Sequence, residues 1–248
     1  PVLGKQAVAH ALTVYRDEIQ FVHDQTIRYM NKGLAPDEIA EVVKLPPQLD
    51  GEHPWGRQYY GTVKHSVRNI YNGNVGWFAG DPVELEPTPR VEYARRLVAL
   101  MGGRQAVLTA ARRAYSDKDD HFAAELVTYL VRIDPKDMEA RHLKAAAFRR
   151  LGYAQLNANW RNYYLVSAME LDEQVPAALY TYAVGKMLGT AMKGLPPASQ
   201  IESLPSRLKA EETLTTDLVA GIRYGEEAAP FRLHLRRGVL EVSRRPVT

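Results

Sequence analysis

HPWGRQYYGTVKHSVRNIYNGNVGWFAGDP, residues 53–82, is the densest run of aromatic and special residues in the chain. Trp55 and Trp77 bracket it, with Tyr59, Tyr60, Tyr71 and Phe78 between or beside them. The spacing predicts one helix inside the bracket. Thr62 is its expected cap, because a hydroxyl oxygen accepts from the free N–H groups of a first turn. Val63, Val67, Ile70 and Tyr71 fall at i, i+4, i+7 and i+8 and form one apolar face, while His65, Arg68, Asn69 and Asn72 point the other way. Gly73, Gly76 and Gly80 are expected to break the helix and let backbone pass close to other groups. Two readings fit: a helix that lines a cleft with a His/Arg/Asn row, or a buried helix whose polar face meets water or another domain. Aromatic residues at helical spacing are commonly core.

Working outward toward the start, residues 5–32 read as one long helix. Val8, Leu12, Tyr15, Ile19, Val22, Thr26 and Tyr29, with Met30 beside them, recur at steps of four and three, a nearly heptad seam suited to packing along another helix. Gly33 is its C-cap. His23 and Asp24 have the types of a base and its orienter, but neighbours on a helix do not face each other, so they are read as ordinary surface residues. Pro36 with Asp37 and Glu38 starts a short helix with Ile39, Val42 and Val43 as its apolar face. Residues 44–54 form a proline-rich connection.

Beyond the bracket, residues 81–89 read as an exposed extended linker. Residues 93–101 form a helix ended by Gly102 and Gly103. Four helices follow, at 105–115, 122–132, 138–151 and 153–169, with Gly152 dividing the last two. Ala110, Ala111, Ala114, Ala123, Ala124, Ala145, Ala146 and Ala147 are small enough for close helix approach. The pattern resembles paired-helix repeats of the tetratricopeptide kind, with only Ala123 and Pro135 on that signature. Asp117–Asp120 beside His121 read as a solvated turn with a capping Asp. From residue 176 the character changes: a helix at 180–190, a Gly/Pro/Ser boundary at 194–205, then strands at 213–224, 231–236 and 239–242. Phe231, Leu233 and Leu235 alternate with Arg232, His234 and Arg236, the period of a half-buried strand, and Arg237-Gly238 is a hairpin turn.

Composition bounds the function. At 248 residues, 46% apolar and 25% charged, the chain is globular, one large domain or two ordinary ones. A net charge of +3, with no Lys/Arg run longer than a pair, gives no reason to expect nucleic acid as a partner. No apolar run approaches a membrane span. There is no cysteine, and the seven histidines include no HxH or HxxxH pair, so no local zinc- or iron-ligand spacing is present and no metal-binding or catalytic residue is assigned.

Three strings carry a resemblance: HDQTIRYMNKGLAPDEIAEVVKLPP (23–47), YYGTVKHSVRNIYNGNVGWFAGDP (59–82) and WRNYYLVSAMEL (160–171). In order and spacing they are similar to the alkyl sulfatases of the metallo-β-lactamase superfamily. Residues 1–171 resemble the family well and the rest more loosely. Departures are mild: Ser66 where the family reads Asn after its His, and Ala79 and Asp81 within the WFDGNP pattern. The opening PVLG resembles the segment just after the family's last metal-binding histidine, so the chain is expected to be the C-terminal part of a longer protein, without the HxHxDH zinc motif. The C-terminal strands resemble the early part of a sterol-carrier-type lipid-binding domain.

The resemblance implies a mainly α fold, with a helical dimerisation domain of tetratricopeptide-like helix pairs followed by a partial α+β sterol-carrier-like domain. The expected divisions are 1–82, continuing from the metal domain; 83–172, the dimerisation region; and 173–248, the partial lipid-binding domain. It implies hydrolysis of alkyl sulfate esters by two zinc ions held elsewhere, a homodimer, and an alkyl sulfate or other amphiphile as ligand, with this chain alone inactive. Tyr60, His65, Arg68 and Tyr71 are its candidate substrate-binding donors. Tyr71 with Tyr60, or His65 with Asn69, is expected to contribute, not both; the tyrosines are preferred because a phenol donates a hydrogen bond and lines an alkyl pocket at once. The alternative is a stand-alone helical repeat module that binds a partner protein. The compartment, periplasmic, secreted or cytoplasmic, stays open.

Overall fold

The computed structural model describes residues 2–50, 57–175, 177–223 and 231–244. The fold is mainly helical with one small antiparallel sheet, and it divides into two compact units, Pro1–Val175 and Pro176–Thr248. Trp55, named above, and residue 224, the last of the strand read at 213–224, lie outside the described residues.

The first unit begins with α1 (Lys5–Met30), α2 (Pro36–Val42) and α3 (Val63–Val75). Val22 of α1, Ile39 and Ala40 of α2, Val43, and Val67 and Tyr71 of α3 form one buried cluster, with Val63 and Ile70 packed against it. That is the apolar face read from the sequence. The seam of α1 divides: Val22 and Thr26 are buried, but Leu12, Tyr15 and Ile19 are 64%, 50% and 57% exposed. The chain fills only the second half of that stripe. Gly33 takes φ 82° just past the helix end. Glu38 accepts the N–H of Ala35 at 2.8 Å and closes the start of α2. His23 Nδ1 and Asp24 Oδ1 lie 3.0 Å apart, so these neighbours do meet through their flexible ends, contrary to the expectation from Cβ directions; both are exposed.

α4 (Arg90–Leu100), α5 (Arg104–Ser116), α6 (Asp120–Ile133), α7 (Met138–Ala154) and α8 (Ala158–Leu171) follow, the last four each packed on the next. Val98, Val107, Leu108, Ala111, Leu126, Val127, Leu130 and Ala140 make their main core. Ala114, Ala123, Ala124 and Ala147 are the close approach between α5, α6 and α7. Asp119 caps α6, accepting from Phe122 N–H at 3.2 Å. Arg150 ties three helices: Nε donates to Asp120 at 2.9 Å, Nη2 donates to Tyr115 O at 2.8 Å, and the guanidinium stacks 3.8 Å from the Tyr115 ring centroid.

Three expectations from glycine and proline fail here. Gly73 lies inside α3, which runs on to Val75 and ends at Gly76 with φ 82°. Gly152 is buried within α7 and divides nothing; α7 and α8 part at residues 155–157. A Cβ on Gly152 would sit 2.9 Å from Leu165 Cδ2, so this glycine lets α8 approach. Residues 81–89 are not simply extended: Asp81 accepts from Val83 N–H at 3.1 Å and starts a 3-10 turn, Pro82–Glu84.

The second unit has α9 (Ala177–Lys193), α10 (Pro197–Glu202) and strands β1 (Asp217–Ile222), β2 (Phe231–Arg236) and β3 (Val239–Ser243) in antiparallel order β1-β2-β3. The expected boundary at 194–205 therefore contains a helix, started by Pro197, and β1 is shorter than the strand read at 213–224. Arg237 and Gly238 have φ 51° and 72°, the two positive values of a primed hairpin turn. The register puts Leu218, Ala220 and Ile222 opposite Leu235, Leu233 and Phe231, and Val242 and Leu240 opposite Leu233 and Leu235. One face of the sheet is apolar; Arg232, His234, Arg236 and Glu241 belong to the other.

Candidate functional site

The site is built where the first turn of α3 meets the start of α8. Thr62 is the α3 cap: its side-chain oxygen accepts from His65 N–H at 3.0 Å. Gln58 adds a second acceptor, for Val63 N–H at 2.9 Å. The segment 58–61 ahead of α3 is bent, irregular backbone whose carbonyls no helix or strand satisfies. The start of α8, 96 to 99 residues later, satisfies them. Asn157 Nδ2 donates to Gln58 O and Gly61 O, both at 3.1 Å. Ala158 N–H donates to Tyr59 O at 2.7 Å, and Asn159 Nδ2 to Tyr60 O at 2.9 Å. Asn157 also caps α8, its Oδ1 accepting from Trp160 N–H at 3.0 Å, and only 3% of it is exposed. The residues just before the third quoted string thus join the start of the second.

The same latch holds the histidine. Trp160 Nε1 donates to His65 Nδ1 at 3.1 Å, and the rings meet edge to face at 5.1 Å and 70°. An indole nitrogen only donates, so Nδ1 accepts and the proton of the neutral imidazole is on Nε2. His65 is exposed, and Nε2 has no partner among the described residues.

The other three candidates are spread around α3. Tyr60, 77% exposed, lines a groove of about 720 Å³ between α1 and α3, with Tyr15, Ile19, Leu45, Val63, Ser66 and Asn69 among its walls. Tyr71 is only 8% exposed; it stands in the core of α1–α3 and borders a different hollow of about 370 Å³ with Arg68, Asn72 and Trp77. Tyr60 and Tyr71 therefore do not share a surface, whereas His65, Arg68 and Asn72 follow one exposed row of α3. The Arg68 guanidinium makes no hydrogen bond or ion pair among the described residues. Its neighbour Lys64 pairs with Glu41, and that hydrogen bond holds the Glu41 carboxyl below the usual carboxylate range, with the charge of Arg68 adding to it. A cation and a histidine N–H donor thus stand one turn apart, facing water.

Among the described residues no three His, Asp or Glu side chains converge as a metal site, so these residues do not fit the zinc ions of the resembled family. No helix is long and apolar enough to cross a membrane among the described residues. Trp160, Asn157 and Asn159 were not singled out from sequence as site residues; the only signal was that Trp160 opens the third quoted string.

The chain belongs to the alkyl sulfatase dimerisation family, whose model matches residues 35–174, from the start of α2 to just past α8. It is 47% identical to a linear primary-alkylsulfatase of a Pseudomonas strain over 248 residues, 98% of this chain and 47% of that protein. It is 37% identical to an (R)-specific secondary-alkylsulfatase of Pseudomonas over 97% of this chain and 35% of that protein. It is 40% identical to an alkyl/aryl-sulfatase of Saccharomyces cerevisiae over 71% of this chain and 27% of that protein. The solved structure of a stereoselective inverting sec-alkylsulfatase from Pseudomonas superposes with TM-score 0.87 at 34% identity, over 98% of this chain and 38% of that one. The chain thus spans less than half the length of these relatives.

Proposed function

We propose that this chain is the dimerisation and substrate-handling part of a zinc-dependent alkyl sulfatase, which hydrolyses alkyl sulfate esters to alcohol and sulfate. The zinc ions belong to residues outside the chain. The observation that carries the reading is the latched row on α3. A sulfate ester is a permanent anion, and His65 presents a fixed N–H donor with the Arg68 cation, which has no partner among the described residues, one turn on. Tyr60, with Leu45 and Val63 on the α3 side of the groove, is the apolar companion for the first carbons of an alkyl chain. Tyr71 supports the helix from inside. The names of the relatives, all alkyl sulfatases, supply the substrate class.

In the same reading the three parts are 1–82, 83–172 and 173–248. The apolar sheet face of the last, with Leu218 57% exposed, is the beginning of a sterol-carrier-like surface for the alkyl chain. A second copy of the chain covers the exposed Leu12, Tyr15 and Ile19 strip of α1 together with the matched helices. The test is a chimera that joins this chain to the portion of the Pseudomonas linear primary-alkylsulfatase it does not cover. With zinc supplied, the chimera releases sulfate from a medium-chain linear alkyl sulfate and the chain alone does not. A folded, zinc-loaded chimera without turnover contradicts the reading.

A further inference from the structure

We infer that Trp160 is a positioning residue whose indole N–H sets the tautomer and direction of His65, so that the start of α8 aims the anion-contacting Nε2–H of α3. This rests on the proposed role of His65, but the geometry stands by itself. Exposed histidines ordinarily exchange between two tautomers and several ring orientations. Here three restraints act together. The 3.1 Å hydrogen bond requires a bare Nδ1. The edge-to-face contact fixes the ring plane. The backbone under both rings is held by four hydrogen bonds from Asn157, Ala158 and Asn159 to the carbonyls of residues 58–61. The Trp160 main chain is anchored as well, its backbone N–H donating to Asn157 Oδ1 at 3.0 Å.

A fixed imidazole pays no ordering cost when an anion arrives, and it offers a donor, never a lone pair, to the incoming oxygen. Trp160 therefore acts through His65 without touching the ligand. A structural tryptophan would be replaceable by any ring of similar bulk. This one is needed for its single N–H.

The test is the side-chain ¹H–¹⁵N correlation spectrum of His65 in the whole chain at neutral pH, in wild type, Trp160→Phe and Asn159→Ala. The wild type shows Nε2 protonated and Nδ1 bare. Trp160→Phe keeps a ring but removes the donor, and both nitrogens move to exchange-averaged positions. Asn159→Ala removes one latch bond at Tyr60 O without touching the indole and leaves the wild-type pattern, and the wild-type tautomer alone decides the case in which Trp160→Phe is poorly folded. A protonated Nδ1 in wild type, or the same pattern in wild type and a folded Trp160→Phe, overturns the inference. In the active chimera, Trp160→Phe lowers kcat/KM about 10-fold to 100-fold, the scale of lost positioning. If the spectra behave as stated while Trp160→Phe and His65→Gln both keep full activity, the lock is real and the proposed role of His65 is what fails.

Discussion

Trp160 Nε1 lies 3.1 Å from His65 Nδ1, joining residues 95 positions apart in the chain. Everything around this pair is arranged to keep it: a capped helix on each side and a run of backbone carbonyls fully taken up between them. The pair links α1–α3 to α4–α8, whose cores are otherwise separate clusters.

Asn157 does two jobs with one amide, accepting as the α8 cap and donating twice to Gln58 and Gly61. Asn157→Ala is expected to cost about 1–3 kcal/mol, a lost cap plus two part-buried carbonyls left without their donor. Asp is ordinarily an equally good cap, but here Asn157→Asp turns an oxygen toward two carbonyls and does not rescue. Urea unfolding checks both; an Asp variant as stable as wild type would contradict the double role.

Gly152→Ala sets helix propensity against packing. Alanine is favoured in a helix interior by about 1 kcal/mol. The new Cβ would meet Leu165 Cγ and Cδ2 at 2.9 Å and Tyr164 Cβ at 3.2 Å. Overpacking of that kind costs about 1–3 kcal/mol, so the variant melts lower than wild type. A raised Tm would mean that α8 shifts freely.

Arg104 donates to both carboxylate oxygens of Asp137 at 2.7 Å. That pairing holds the Asp137 carboxyl below the usual range against the desolvation of burial, and the Ala140 N–H helps. A carboxyl with a depressed folded pKa contributes stability above its unfolded pKa and loses it as pH falls through the folded value. Asp137→Asn keeps the α7 cap and loses the ion pair, about 1 kcal/mol after solvent screening of the half-exposed Arg104. The stability gap between wild type and variant is largest near neutrality and closes as pH drops below about 4. An equal gap at pH 6 and pH 3, by chemical denaturation, would rule this out.

The exposed strip of α1 gives a further test. Val22 belongs to the chain's own core, so charging it would unfold the helix; Leu12 and Ile19 are free of that objection. Leu12→Lys with Ile19→Lys is expected to keep the helical circular dichroism and halve the mass seen by light scattering. A monomer mass for the unmutated chain at micromolar concentration would remove the dimer from the account.

The sequence shows which residues are helical far better than where they go. The periodicity of Val63, Val67, Ile70 and Tyr71 reports α3 and its buried side, because one face against one core is a local signal. The strand alternation from Phe231 to Arg236 is legible for the same reason. The α1 seam misleads halfway, since heptad spacing marks an apolar stripe without saying whether this chain covers it. Gly152 looks like a break because close helix approach and helix termination use the same residue. The type of Tyr71 suits a sulfate donor, while its depth depends on α1 and α2 and is not written in that type. The latch is invisible beforehand: nothing in Asn157 or Trp160 names a partner nearly a hundred residues away.

The most direct measurement is kcat/KM for a linear alkyl sulfate in the active chimera, with His65→Gln and Tyr71→Phe made separately and each Tm recorded. The account predicts a loss on the order of 10²-fold for His65→Gln at unchanged Tm, the scale of one lost anion donor, and a far smaller loss for Tyr71→Phe. Full turnover in His65→Gln, with collapse in a folded Tyr71→Phe, would contradict it.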